Sequence, residues 1–237
     1  MGLNYFTING TSSLDFGIVI ARADVFSSPA RAYEEVYVPG KNGAVLFDEG
    51  RYENGLIEYE CALLNDGANL DDFRGWLSSL RGYVRLEDTY HPLEYRMAAC
   101  TGGIPVQTEL STKVGRFTVT FTAKPQRWLK TGEIPQACNG SLLLTNPTFY
   151  PAKPLIRVVG SGALVVGSTT ITVASNALSY IDLDCELCDA SCGATNANRF
   201  ITLSGTDYPV LPGNTTTGIT KANTMTSVQI WPRWWTL

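Results

Sequence analysis

Residues 36–64 combine glycines, a lysine beside a glycine and two acidic pairs, in the stretch "VYVPGKNGAVLFDEGRYENGLIEYECALL". Such residues can bind phosphate or carry out acid–base catalysis. A phosphate-binding P-loop needs its glycines before the lysine and a Lys-Ser/Thr pair that opens a helix. Here Lys41 precedes Asn42 and Gly43, and a strand-like run follows. Asn-Gly is a strong hairpin signal because both residues accept positive φ. We therefore predict two chain reversals around a short strand, the second at "DEGRYENG".

Paired carboxylates are the second feature with catalytic potential. Glu58 and Glu60 share one strand face, and so do Asp182 and Asp184. Two carboxylates that flank a sugar bond can hydrolyse it. Paired acids are also typical of the solvated face of an amphipathic strand. Nothing in the sequence indicates a cleft or a raised pKa, so we expect no enzyme.

Three cysteines form the strongest metal-binding pattern in the chain, "CELCDASC". Cys185 and Cys188 have zinc-knuckle spacing, and Cys192 adds a third thiol. A structural zinc site usually has four ligands, often as two such pairs. The second pair is missing, and the single histidine, His91, lies in an unrelated segment that gives a cysteine nucleophile no geometry. We expect no metal or cofactor here, and a cysteine-tolerant loop after a strand instead.

The C-terminal "WPRWW" supplies three indole rings at Trp231, Trp234 and Trp235. They could form a sugar-stacking platform or a subunit contact. They could instead anchor a terminal strand on its own sheet, and the residues alone favour this interpretation.

Strict alternation of apolar and polar residues dominates the elements that must position these groups. In "RFTVTFTA" Phe117, Val119 and Phe121 face one way, and "LIEYECAL" alternates in the same manner. A period of two predicts half-buried antiparallel strands.

One segment has helical spacing instead, "NLDDFRGWLSSLRG". Its apolar residues recur at helical intervals and predict a single amphipathic helix packed on a sheet. We expect Asn69 to cap its start and Gly82 to end it in a left-handed conformation. The stripe consists of Leu70, Phe73, Trp76, Leu77 and Leu80.

Charged residues are distributed unequally along the 237-residue chain. Residues 1–137 carry 13 basic and 17 acidic side chains, whereas residues 138–237 carry 5 of each. Prolines and glycines cluster in residues 131–154, where we predict a domain junction. The expected domains are therefore residues 1–134 and 135–237. In the second, short strands separated by turn signals predict a β-sandwich or jelly roll.

Composition disfavours several classes of protein. The net charge of −4 argues against a surface that binds duplex nucleic acid. No apolar run approaches the roughly 18 residues of a membrane span. The first residues lack the basic and apolar regions of a secretion signal, so we expect free thiols in a reducing cytoplasm.

Several segments, taken in order, resemble phage distal tail proteins of the siphovirus type. "YFTINGTSSLDFGIVI" is similar to their opening, and "YEEVYVPGKNGAVLFDEGRYENGLIEYECAL" to their next signature. "FTAKPQRWLKTG" is similar to the strand that closes their first domain. "NPTFYPAKPLIRVVGSGA", "YIDLDCE", "DYPVLPGNT" and "IWPRWWTL" follow the order of their C-terminal half. The Cys188–Cys192 insertion departs from the pattern.

The resemblance implies a mainly β protein with a tail-tube-like N-terminal β-sandwich that carries one helix, and a galectin-like or carbohydrate-module-like second domain. It implies a homohexameric ring at the tip of a long non-contractile tail, with DNA passing through the channel without specific binding. The ring joins the tail tube to the hub and to receptor-binding or baseplate proteins. No catalytic residues are carried over.

We therefore expect a structural virion protein of the tail tip that is assembled in the host cytoplasm without membrane insertion. Pro39, Gly40, Asn42 and Gly43 would shape a hairpin at a subunit contact. The alternative is a carbohydrate-binding adhesion protein that acts through the second domain, with Trp231, Trp234 and Trp235 as the stacking residues.

Overall fold

The computed structural model describes residues 2–64, 69–103, 106–108, 115–205 and 207–237. The chain forms two compact units, Met1–Arg127 with Leu237, and Trp128–Thr236. The division lies a few residues before the segment 131–154 in which the sequence places the junction. The mainly β fold class with one α-helix is confirmed for the described residues.

The first unit contains one large antiparallel sheet and a separate two-stranded ribbon. Its elements are β1 (Phe6–Ile8), β2 (Thr11–Ser12), a 3₁₀ helix (Ser13–Phe16), β3 (Ile18–Asp24), β4 (Arg31–Tyr37), β5 (Ala44–Tyr52), β6 (Gly55–Leu63), α1 (Leu70–Ser79), β7 (Val84–Asp88), β8 (Glu94–Cys100), β9 (Val106–Thr108) and β10 (Gly115–Leu129). The sheet runs in the order β2-β1-β7-β8-β10-β6-β3, and β9 also pairs with β10. Among the described strands, β4 and β5 pair only with each other.

The alternation seen in the sequence sets the register at the centre of this sheet. Phe117 lies opposite Cys61, and Val119 lies opposite Tyr59. These side chains share the buried face, because directly opposed residues in antiparallel strands point the same way. The core is strongly aromatic, and the ring of Phe6 stacks on that of Tyr59 at a centroid distance of 5.2 Å.

Helix α1 buries Phe73 and Leu77 against the sheet, as its apolar stripe predicts. It begins after Asn69, but the Asn69 side chain makes no capping hydrogen bond, so that part of the prediction is wrong. Asp71 and Asp72 lie in the first turn, where the helix dipole favours negative charge. Gly82 does adopt a positive φ of 63°, although the helix already ends at Ser79.

The second unit is a sandwich of two antiparallel sheets. Its strands are β11 (Gln136–Ala137), β12 (Ser141–Thr145), β13 (Leu155–Gly160), β14 (Gly162–Val166), β15 (Thr169–Val173), β16 (Ile181–Asp184), β17 (Asp189–Cys192), β18 (Thr195–Asn196), β19 (Ile201–Leu203), β20 (Thr216–Lys221), β21 (Met225–Trp231) and β22 (Trp235–Thr236), with 3₁₀ helices at Lys130–Glu133 and Asn198–Phe200. The six-stranded sheet runs β11-β21-β13-β16-β17-β18, the five-stranded sheet runs β12-β20-β14-β15-β19, and β22 belongs to neither of them. Apolar side chains of both sheets form one core cluster.

A buried polar residue organises the loop between β12 and β13. Asn146 is almost fully buried, and its side-chain amide donates hydrogen bonds to the carbonyls of Tyr150 and Leu211 at 2.9 and 3.1 Å. Its side-chain oxygen accepts hydrogen bonds from the backbone and hydroxyl of Thr148. A buried amide is tolerated only when its hydrogen bonds are made, so this loop has one well-defined shape.

Candidate assembly surface

Strands β4 and β5 form an exposed hairpin, hereafter the β4–β5 hairpin. The strands pair from Tyr37 opposite Ala44 to Arg31 opposite Tyr52. A two-stranded ribbon has only marginal stability of its own in water. The hairpin is therefore expected to gain order from whatever covers it.

The turn of the hairpin differs from the predicted Asn-Gly turn. The amide of Lys41 donates to the carbonyl of Val38 at 3.1 Å, and Gly40 has a φ of 81°. Pro39 followed by a glycine with positive φ is the signature of a type II turn. Gly43 also has a positive φ, but Asn42 does not, so the predicted two-residue Asn-Gly turn is wrong.

The predicted second reversal at "DEGRYENG" is also wrong for most of its length, because Asp48 to Tyr52 belong to β5. The register shifts there: Tyr33 lies opposite Asp48, whereas Arg31 lies opposite Tyr52. Gly50, with a φ of 70°, supplies the left-handed conformation of this bulge. Glu53 and Asn54 then connect β5 to β6, and the amide of Glu53 donates to the carbonyl of Ala30 at 2.8 Å.

Apolar side chains are exposed on both faces of the hairpin. Directly opposed residues share a face, and the pairing places Glu35 opposite Leu46 and Glu34 opposite Phe47. Tyr33, Tyr37 and Leu46 therefore lie on one face, and Val36, Val45 and Phe47 on the other. Their exposed fractions range from 41% for Val45 to 73% for Tyr37. Exposed apolar groups in one patch are typical of interaction sites.

Several ion pairs lie at the end of the hairpin that is farther from the turn. Arg31 contacts Asp48 at 2.6 Å, and Arg51 contacts Glu49 and Glu53 at 2.7 and 3.1 Å. The hydrogen bond from Arg31 lowers the pKa of Asp48. Because these groups are exposed, the pairs contribute little to stability. The part of the hairpin nearer the turn carries most of the exposed apolar side chains.

The carboxylates singled out in the sequence do not form a catalytic pair. Glu58 and Glu60 lie on the exposed face of β6, with Glu60 3.6 Å from Arg22. Asp182 accepts two hydrogen bonds of 2.7 Å from Arg157. Asp184 likewise accepts two from Arg233. Each aspartate is thus engaged by its own arginine rather than by the other acid.

The cysteines of the "CELCDASC" segment occupy different environments. Cys185 is buried, and burial raises the pKa of its thiol to about 12. Cys188 is exposed on the turn after β16, with a φ of 54°, and its thiol donates to the carbonyl of Cys185. Cys192 lies 3.8 Å from the hydroxyl of Ser179. Across the described residues, no three His, Cys, Asp or Glu side chains lie together as a metal site would require.

His91 has a structural partner that sequence reasoning missed. Asp88 accepts hydrogen bonds from the hydroxyl of Tyr59 at 2.8 Å and from the amides of Tyr90 and His91, and its carboxylate lies 3.3 Å from the His91 ring. An aspartate that accepts from the amides two and three residues further on forms an Asx turn. The "EDTYHP" segment carries that signal, so the turn could have been predicted from it.

The three tryptophans fall into three environments. Trp231 points outward from the six-stranded sheet, on the opposite side to the buried Ile230. Trp234 is only 6% exposed and belongs to the core, so its assignment as a glycan-stacking residue is wrong. Trp235 stacks on Tyr150 at 4.6 Å and donates its indole N–H to the carbonyl of Pro151.

A shallow depression of about 390 Å³ lies beside α1. Arg74, Arg81 and Cys100 are among its lining residues, and no carboxylate is among the described ones. Burial raises the pKa of the Cys100 thiol, which opposes formation of a nucleophilic thiolate. No helix in the described part of the chain is long and apolar enough to cross a membrane.

The mainly β fold is similar to that of phage distal tail and baseplate proteins, as the resemblance implies. The whole chain matches the whole of the SPP1 Dit (gp 19.1) protein, described as a paradigm of the hub adsorption apparatus in phages that infect Gram-positive bacteria, with a TM-score of 0.71 and 12% identity. It also matches chains of the phage p2 baseplate in its activated conformation, with Sr or Ca, at TM-scores of 0.51 and 0.53, 8% identity and 97% coverage of each chain. No family model matches the sequence, and no curated protein is significantly similar to it.

Proposed function

We propose that this protein is a non-enzymatic structural component of the distal end of a long non-contractile phage tail. Six copies form a ring that joins the tail tube to the hub and to receptor-binding or baseplate proteins. The protein is assembled in the host cytoplasm and resides at the virion tail tip. The end-to-end match of both units to SPP1 Dit carries this proposal.

The β4–β5 hairpin supports ring formation through contacts with a second copy. Its apolar side chains lie on both faces, so a partner on one face alone would leave the other exposed. A hairpin inserted between surfaces buries both sets, at about 25 cal/mol per Å² of apolar area removed from water. Pro39, Gly40, Asn42 and Gly43 fix the shape of the inserted tip.

The edges of the large sheet support the same assembly. The strand order ends at β2 and β3 among the described strands, so each copy of the chain carries two different edge strands in this sheet. An edge strand presents unpaired N–H and C=O groups that can pair with another chain. A contact between two different surfaces of identical copies generates a ring when the rotation closes.

The charge of the protein is compatible with a channel through which DNA passes. Residues 1–137 carry 17 acidic and 13 basic side chains. Affinity for DNA comes largely from basic groups that neutralise phosphates and release counterions. A surface with an acidic excess does not hold the duplex and lets it slide.

Several contacts favour a non-enzymatic role. Asp182 and Asp184 are each engaged by an arginine. Burial opposes ionisation of Asp184, but the hydrogen bonds from Arg233 and two backbone amides outweigh it and lower the pKa, which opposes a role as a general acid at neutral pH. The thiol of Cys185 is kept protonated by burial. These groups contribute to packing and to loop shape.

Negative-stain imaging of the purified full chain tests the proposal. We expect ring-shaped particles with sixfold symmetry and a central channel, alone or after mixing with the tail-tube protein of the same phage. Particles that remain single copies in both samples would overturn it. Turnover of a cell-wall glycan by the purified chain would contradict the non-enzymatic part of the proposal.

A further inference from the structure

A row of polar side chains crosses the outward face of the six-stranded sheet. The register places Arg157 opposite both Gln229 and Asp182, on the face away from the buried Ile156 and Val158. The row continues across β17 and β18 through Ser191 and Asn196. Five neighbouring strands thus contribute hydrogen-bonding groups to one line.

Arg157 lies at the centre of this row and is held on several sides. Its Nε and Nη2 donate to the two carboxylate oxygens of Asp182 at 2.7 Å each. Its guanidinium carbon lies 4.4 Å from the ring centroid of Tyr180 and 5.6 Å from that of Trp231. Guanidinium groups at these distances are attracted to aromatic faces. The group is therefore ordered before any ligand arrives, which reduces the entropic cost of binding.

The chemistry of the row indicates a neutral ligand that is rich in hydroxyls. The positive charge of Arg157 is matched by Asp182, so neither an anion nor a cation gains a net attraction. The Nη1 donors of Arg157 are not used by Asp182, and a carboxylate has lone pairs beyond those that accept the two bonds. A sugar hydroxyl can accept from the first and donate to the second. The flanking rings of Trp231 and Tyr180 offer apolar contact for the C–H groups of a sugar.

The opposite face of the sandwich has no such combination. On the five-stranded sheet the register lines up Ser141, Thr220, Val165 and Thr170, which are small and uncharged. The corresponding rows on the outward faces of the two sheets therefore differ in charge and in aromatic content. Only the six-stranded face, among the described residues, combines an arginine–aspartate pair with two aromatic rings.

We propose that the outward face of the six-stranded sheet, centred on Arg157, Asp182, Tyr180 and Trp231, is a binding site for neutral saccharides. This site keeps Trp231 from the tryptophan cluster expected from the sequence. Trp234 is buried and Trp235 is stacked on Tyr150, so neither is part of it. The site goes beyond the proposed ring and does not depend on it, since all of its residues belong to the second unit.

Ligand-observed NMR on the full chain tests the site. The probes are maltose, lactose and N,N′-diacetylchitobiose at millimolar concentration, with sialyllactose as an anionic comparison. We expect saturation transfer to at least one neutral probe, and a dissociation constant raised at least about tenfold by Arg157→Ala and by Trp231→Ala. Thr172→Ala, on the outward face of the five-stranded sheet, should leave it unchanged.

Each of three results would overturn the site: no transfer to any neutral probe, affinity that both variants retain, or binding of sialyllactose alone. If either variant fails to show a cooperative thermal transition, Gln229→Ala and Asn196→Ala replace it. These polar side chains lie on the same row, and their truncation should weaken binding without disturbing the core. Unchanged affinity in both would equally contradict the site.

Discussion

The guanidinium of Arg233 donates two hydrogen bonds of 2.8 Å to the carboxylate of Asp184, which ends β16. Arg233 has a φ of 56°, a conformation uncommon for a residue with a side chain. The pair therefore holds the chain in a turn that brings Trp234 into the core. Asp184 also accepts hydrogen bonds from the amides of Glu186 and Leu187, so one carboxylate orders two segments.

Removing this charge should destabilise the second unit. Asp184→Asn keeps the size of the side chain but leaves the partly buried Arg233 without its counter-ion, at a cost of about 2 kcal/mol in the free energy of unfolding. Chemical denaturation measures the change. Glu186→Gln is the matched control, because its ion pair with Lys153 is exposed and 3.7 Å long. Equal effects of the two substitutions would contradict the role of Asp184.

The same pair should make stability depend on acid pH. Burial opposes ionisation of Asp184, but the hydrogen bonds from Arg233 and the two amides outweigh burial and lower its pKa. A carboxyl with a lowered folded pKa stabilises the protein above its unfolded pKa, and this contribution is lost as the pH falls through the folded pKa. We expect wild type to lose its advantage over Asp184→Asn below the unfolded value of 3.8. A constant difference down to strongly acid pH would refute this.

Gly213 should not tolerate a side chain. A Cβ at this position would overlap the carbonyl group of Phe149 and lie 2.9 Å from the amide nitrogen of Tyr150. Because the loop is fixed by buried Asn146, it cannot move aside, and Gly213→Ala should cost about 3 kcal/mol. Thermal unfolding checks this against Gly205→Ala, whose added Cβ meets no atom within 4 Å. Similar melting temperatures for both variants would show that the loop adapts.

Both faces of the β4–β5 hairpin should contribute to assembly. Leu46→Ser and Phe47→Ser remove apolar groups from opposite faces, and each should shift assembled protein toward single copies. Since both side chains are exposed in the single chain, the unfolding free energy should change by no more than about 0.5 kcal/mol. Leu143→Ser, 75% exposed in the second unit, serves as the control. If only one of the two substitutions impairs assembly, the hairpin contacts a partner through one face and is not inserted between two surfaces.

Buried and exposed cysteines should react with an alkylating agent at different rates. The pKa values of Cys61 and Cys185 are raised to about 12 by burial, so both remain thiols at neutral pH and react slowly in the folded protein. Exposed Cys188 should be modified first. Peptide mass spectrometry after brief iodoacetamide treatment at neutral pH measures the order. Modification of Cys61 or Cys185 as early as Cys188 would contradict the packing described for them.

The sequence predicted those elements whose pattern is local and periodic. The alternation in β6 and β10 fixed which side chains share the core, and the stripe from Leu70 to Leu80 marked the helix. In the second unit the sequence pattern predicts strands at residues 155–159, 164–166, 171–173, 180–184, 199–203 and 228–231. Each has a counterpart in the structure, with ends that differ by a few residues. β11, β12, β17, β18, β20 and β22 were not predicted. β11, β18 and β22 are two residues long, and β17 and β20 carry little apolar signal, whereas the three leucines of β12 lie in the proline-containing segment that was assigned to the junction.

Features that depend on single backbone conformations could not be predicted in this way. Asn42-Gly43 competes with Pro39-Gly40 for the turn, and the type II turn formed instead. The positive φ of Arg233 interrupts the extended backbone, so the side chains that follow it no longer alternate between two faces. The burial of Trp234 therefore cannot be deduced from alternation. The row through Arg157 requires strand pairings between residues more than twenty positions apart.

Assembly of identical copies through the β4–β5 hairpin is the central claim, and the mass of the full chain in solution tests it most directly. Light scattering across a concentration series should give six times the 25.8 kDa mass of one chain for wild type. The Leu46→Ser, Phe47→Ser double variant should give the mass of a single chain. A wild-type mass that stays at 25.8 kDa throughout the series and also after the tail-tube protein is added, or a double variant that still forms the full assembly, would contradict the account.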